Sequence, residues 1–146
     1  TTPAVARSDI DAVVTPALKA RTFDISNALA GGDYERALRD LRELFAMQED
    51  CNLILGAIGS QMRRLHYAKL ITAGGKGQET LMELTGLKSY PAGLTMTAAR
   101  KTTERFCTRA VELCLQTDRR MKTSFDDPER LLELLVAELA QEARRG

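Results

Sequence analysis

The 146-residue chain contains no tryptophan, and aromatic rings of any kind make up only 5% of it. Its core must therefore be filled by Leu, Ile, Val, Met and Ala, a palette that suits helices packed on helices. Histidine is almost missing as well, His66 being the single one. A hydrolytic triad or a metal cluster needs Cys, Asp or Glu at ligand spacing, and none lies within a helical turn of His66. No catalytic residue, metal ligand or cofactor site is expected. The three cysteines, Cys51, Cys107 and Cys114, are odd in number and irregularly spaced, which argues against a disulfide framework. Cys107 and Cys114 fall seven positions apart on one predicted helix, roughly 10 Å along its axis and beyond disulfide reach. They read as small buried hydrophobes of a reducing, cytoplasmic protein.

Long apolar runs are absent. Nothing approaches the roughly 20 residues a bilayer span needs, and no basic start leads into an apolar core as in a signal peptide. The opening Thr1-Thr2-Pro3-Ala4 reads as a cut inside a longer protein. Neither sign of charge dominates. Lys plus Arg number 21 against 20 for Asp plus Glu; residues 1–73 carry nine of each, and residues 74–146 carry twelve basic and eleven acidic groups. Tight binding to bare duplex DNA uses a clustered basic face, which this balance argues against.

What is present is helical periodicity. Ser8 can cap a short helix through Val14, and Pro16 limits its continuation. A second short helix is expected from Phe23 to Ala30, stopped by Gly31-Gly32, with Asp33 capping the next. From Tyr34 to Met47, Ala37, Leu38, Leu41, Leu44 and Phe45 form one stripe, and Arg36, Arg39, Asp40, Arg42 and Glu43 take the rest. Asp50 caps a long helix from Cys51 to about Thr72. Gly56 and Gly59 in its first half mark either close approach by a neighbour or a local kink. After the loop Ala73–Gly77 a helix runs from Gln78 to Thr85, with Leu81 and Leu84 inward and Gly86 as its stop. Pro91 opens another, to about Lys101. Thr102 or Thr103 caps a long helix through Thr123, and Asp127-Pro128-Glu129 starts the last, Leu-rich one. No stretch alternates as a strand would. The expectation is an all-α fold, a compact bundle of about six to eight helices, with the stretch Thr15–Thr22 as the only candidate boundary.

Four further features carry a functional question. Arg63, Arg64 and Lys69 put a basic cluster on the long helix, either a solvated face or a partner contact. Asp118 and Lys122, spaced i,i+4 beside an apolar stripe, make a candidate structural pair. Gly74-Gly75-Lys76-Gly77 lacks the GxxxxGK[ST] pattern and no strand precedes it, so it is not a nucleotide loop. Residues 78–101 also trace a helix, a glycine turn and a helix, the outline of a helix-turn-helix DNA-binding module. Its second helix would read bases with Pro91, Ala92, Gly93, Leu94, Thr95, Met96 and Thr97, none able to make a bidentate base contact.

A resemblance brings these pieces together. Phe23-Asp24-Ile25-Ser26-Asn27-Ala28-Leu29 with Gly32-Asp33, and then Ala37-Leu38 with Leu41 and Leu44, are similar to successive segments of the delta subunits of the bacterial DNA polymerase III clamp loader. Gln61-Met62-Arg63-Arg64-Leu65 with Lys69-Leu70 resembles the family's next helix. Leu84-Thr85-Gly86-Leu87 with Tyr90-Pro91, Asp118 through Lys122-Thr123, and Asp127-Pro128-Glu129 follow in the family's order. Arg119 and Arg120 depart from it, standing where apolar residues are usual, and Ser124 stands where Gly is common. The resemblance implies that residues 23–146 form the C-terminal collar, which holds loader subunits in a ring. Residues 1–22 would be the remnant of a preceding AAA+ lid domain and its linker. It further implies a non-catalytic subunit whose partners are delta-prime and tau/gamma. The sliding clamp and primed DNA would be met only through the complete complex.

Overall fold

The computed structural model describes residues 15–145. Among them are seven α-helices and no strand: α1 (Pro16–Ala30), α2 (Tyr34–Ala46), α3 (Cys51–Ala73), α4 (Gln78–Thr85), α5 (Ser89–Arg100), α6 (Glu104–Thr123) and α7 (Pro128–Arg145). The all-α expectation holds. The short helix expected from Ser8 to Val14 lies outside the described residues.

Helix starts follow side-chain caps. Asp33 accepts from the Arg36 N–H at 3.2 Å, Asp50 from Asn52 and Leu53 at 2.8 and 3.1 Å, and Thr103 from Phe106 at 3.0 Å. Asp127 likewise accepts from Glu129 at 3.1 Å. Each satisfies an N–H that has no partner within its own helix. The start of this helix is a correction: α1 begins at Pro16 instead of at Phe23. Proline lacks only an N–H that the first turn would leave idle, and Thr15 Oγ1 accepts from Leu18 N at 3.1 Å. Pro91 likewise sits inside the first turn of α5, which begins two residues earlier.

Helix ends share a device. Asp33 N donates to Ala28 O (2.8 Å), Glu49 N to Leu44 O (3.1 Å) and Lys76 N to Ile71 O (2.9 Å). Each bond closes over a left-handed residue: Gly32 (φ 73°), Gln48 (φ 59°) and Gly75 (φ 77°). Gly86, at φ 77°, ends α4 in the same region.

Helix α3 is the central strut, packed against α1, α4, α5, α6 and α7. It presents Ile54, Ile58, Met62 and Leu65 to Leu18, Ile25 and Leu29 of α1, Phe106 of α6 and Leu132 of α7, all at most 1% exposed. The last helix also packs on α1 and α2. Gly59 is buried where α3 meets α6; an added Cβ would lie 3.8 Å from Cys114 Cβ, an ordinary contact. Gly56 faces open space, and α3 runs unbroken through both glycines. Two inward assignments change. Leu84 is 61% exposed, because α4 packs only against α3 and α5 and nothing covers the side on which Leu84 stands. Asp40, expected on the polar side of α2, is buried.

Candidate assembly surface

Among the described residues, no group of three or more His, Cys, Asp or Glu side chains stands together as metal ligands would. His66 Nε2 approaches Glu104 Oε1 at 4.0 Å across the α3–α6 contact. Burial pushes the Cys107 and Cys51 thiols up and carries Cys114 to about 12, so none offers a thiolate at neutral pH. No helix among the described residues is long and apolar enough to cross a membrane.

The surface is more informative. At 100° per residue, Arg63, Arg64 and Lys69 cannot share one face of α3, and they do not. Arg63 is exposed, its Nη2 donating to Ser60 Oγ at 3.1 Å. Arg64 is half-buried and donates to Gln61 Oε1 at 3.4 Å. Lys69 is half-buried near Cys107, whose thiol it pulls down against the larger effect of burial. What does share a face with Arg63 was not singled out from the sequence: Tyr67 and Leu70, four and seven positions on, are 37% and 48% exposed. Leu115 of α6, next to the Cys114 that touches Gly59, is 51% exposed. The signal was available in the i, i+4, i+7 spacing, but helix periodicity alone does not say which stripe is covered.

Asp118 and Lys122 do pair, at 2.9 Å, with 40% and 68% of their side chains exposed. Such a pair contributes about 0.3–0.5 kcal/mol. Arg119 and Arg120 are exposed, and Arg120 reaches Asp126 at 3.4 Å. Ser124 sits at φ −119°, extended backbone that needs no glycine, with its hydroxyl donating to Arg120 O at 2.7 Å. A tighter network joins α6 and α7: Glu142 meets Arg105 at 2.7 Å, Arg109 at 3.8 Å and Arg145 at 3.7 Å. The hydrogen bond from Arg105 and the three positive charges hold its carboxyl below the usual range.

The helix-turn-helix outline is real in topology, as α4, Gly86 and α5, but α5 spends its face inside the bundle. Ala92, Thr95, Met96 and Ala99 are buried, and Thr95 Oγ1 accepts from Gln61 Nε2 at 3.1 Å while donating to Pro91 O at 2.8 Å. It has no row of donors and acceptors aimed outward for base edges.

The architecture is thus a helical bundle with a filled interior and an exposed face of α3 on which Arg63 stands with Tyr67 and Leu70. A family model described as DNA polymerase III delta subunit, C-terminal domain, matches residues 19–139. The chain belongs to that family. DNA polymerase III subunit delta of Bacillus subtilis (strain 168) is 24% identical over 131 residues, covering 90% of this chain and 38% of the relative. The solved Bacillus subtilis DNA clamp loader delta protein shares the fold, with a TM-score of 0.79 at 24% identity, over 92% of this chain and 40% of that one. The chain therefore spans about two-fifths of the length of the proteins it resembles.

Proposed function

We infer that this chain is an assembly module of a bacterial clamp loader, a collar that holds delta against its sibling subunits during replication in the cytoplasm. The single observation that carries the inference is its membership, over residues 19–139, in the delta C-terminal family. The partners it fits are delta-prime and tau/gamma. The sliding clamp and primed DNA are reached through the complete complex, and the collar itself catalyses nothing. The exposed stripe Arg63, Tyr67 and Leu70 supports a helix-face docking mode: apolar contact flanked by a charge able to pair across an interface. Arg63 is the most available of the three basic residues, ahead of the half-buried Arg64 and Lys69.

The division of the chain follows from the same inference. A boundary after residue 22 would cut α1 in two. The full burial of Leu18 in this bundle favours giving residues from Pro16 onward to the collar and earlier ones to a preceding lid.

The test is gel filtration of this chain mixed with the collars of delta-prime and tau/gamma. Co-migration is expected, and Arg63→Glu should weaken it while leaving the melting temperature unchanged. Failure to co-migrate with either partner at micromolar concentration would remove the inference.

A further inference from the structure

We propose that the cleft between the end of α3, the start of α4 and the outer side of α5 binds nucleotide phosphates, the group shared by a nucleic-acid strand and a free nucleotide. The cleft has a volume of about 540 Å³. One end holds Lys76, Gly77 and Gln78; the other holds Arg100, the last residue of α5. Gln78 Nε2 donates to Ser89 O at 2.8 Å, which fixes the first end beside the first turn of α5. The 12 residues of α5 span about 18 Å, so the two cations stand at opposite ends of the cleft instead of converging on one point.

Its chemistry is one-sided. No carboxylate lines the cleft, and neither Lys76 nor Arg100 has an ion pair or side-chain hydrogen bond among the described residues. Helix α4 begins without a side-chain cap, leaving its first N–H groups to a ligand or to water. Ser89 Oγ accepts from Gln78 Nε2 at 3.1 Å, so its own hydrogen is available to donate. Tyr90 stands at the rim, 76% exposed, a ring on which a base can stack. Gly93 keeps the floor open: a Cβ there would meet Gln78 Oε1 at 3.2 Å and push it out of its seat. This is not a P-loop, since a helix and not a strand precedes the glycines. It is also separate from the Arg63–Leu70 face and does not depend on the assembly inference.

Fluorescence anisotropy on the 146-residue chain tests it with three labelled probes: oligo-dT, ATP and an acidic peptide. Binding of oligo-dT or ATP is expected, weakened about ten-fold by Lys76→Glu and by Arg100→Glu but not by Lys19→Glu at a distant exposed position. Two phosphate contacts to a strand predict about a seven-fold loss of affinity between 50 and 200 mM salt. Binding of oligo-dT that Tyr90→Ala weakens assigns a strand; binding of ATP that oligo-dT does not displace assigns a free nucleotide. The site is refuted if neither nucleotide probe binds, if both charge reversals bind like Lys19→Glu, or if the acidic peptide binds more tightly than both. All variants should melt with the parent chain, since neither cation has an internal partner. No partner subunit is needed, so a negative result here leaves the collar inference standing.

Discussion

Asp40 is only 5% exposed and lies near Asp24 and Glu43. Burial first, then those two carboxylates, raise its pKa above the ordinary 3.8, with Arg39 and Arg21 partly offsetting them. A raised folded-state value means the ionised form costs stability, and the cost develops as pH climbs from about 4 through that value. Asp40→Asn should therefore raise the melting temperature at pH 7 and give no gain near pH 3, measured by thermal melts at the two pH values. Gln48 is the other strained point, a side chain at φ 59° in a turn where α1 and α3 use glycine. Gln48→Gly should stabilise by about 0.5–1 kcal/mol, read as a shifted urea midpoint at constant slope. Neither residue was legible in the sequence. Periodicity gives Asp40 an angle on its helix but not the neighbour that covers it, and glutamine carries no turn preference. Gly32 and Gly86 were legible because left-handed backbone selects glycine.

At the scale of the element, caps decided what could be read. Asp33, Asp50 and Asp127 were legible in the sequence because short oxygen-bearing side chains answer unpaired N–H groups, and of the pair Thr102 and Thr103 it is Thr103 that caps α6. Pro16 was not legible as a helix start, since the same residue can open a helix or end one. That extended start has an energetic consequence: Leu18 is fully buried, so Leu18→Ala should cost about 2–5 kcal/mol in chemical denaturation. A result near zero would return residues 16–22 to a linker. The three basic residues of α3 lie within seven positions of one another, but steps of about 100° per residue spread them around the helix. Pairing across elements was out of reach altogether, as with Glu142, whose arginines lie 37 and 33 positions back on α6. Its depressed carboxyl value makes it a stabilising contact above the ordinary range, lost as pH falls through the folded value. Glu142→Gln should melt earlier than the parent at pH 7, with the gap closing in thermal scans as pH drops below about 4.

For the whole molecule, the fold class followed from stripes of Leu, Ile and Ala at helical spacing, but the surface did not. A stripe is apolar whether a sister helix or a separate chain covers it, so Tyr67, Leu70 and Leu115 could be told from core only once the bundle was closed. Leu70→Asp with Leu115→Asp should leave stability within about 0.5 kcal/mol and abolish co-migration with partner collars in gel filtration. Closure itself has a temporal side. Helix α7 rests on α1, α2, α3 and α6. A ribosome synthesising this stretch therefore leaves Leu41, Leu44 and Phe106 exposed to solvent until Leu132 and Leu139 have cleared the exit tunnel. Nascent chains stalled with Thr123 just outside the exit tunnel should thus be the most avid chaperone clients of the series, and those in which Arg145 has also emerged the least.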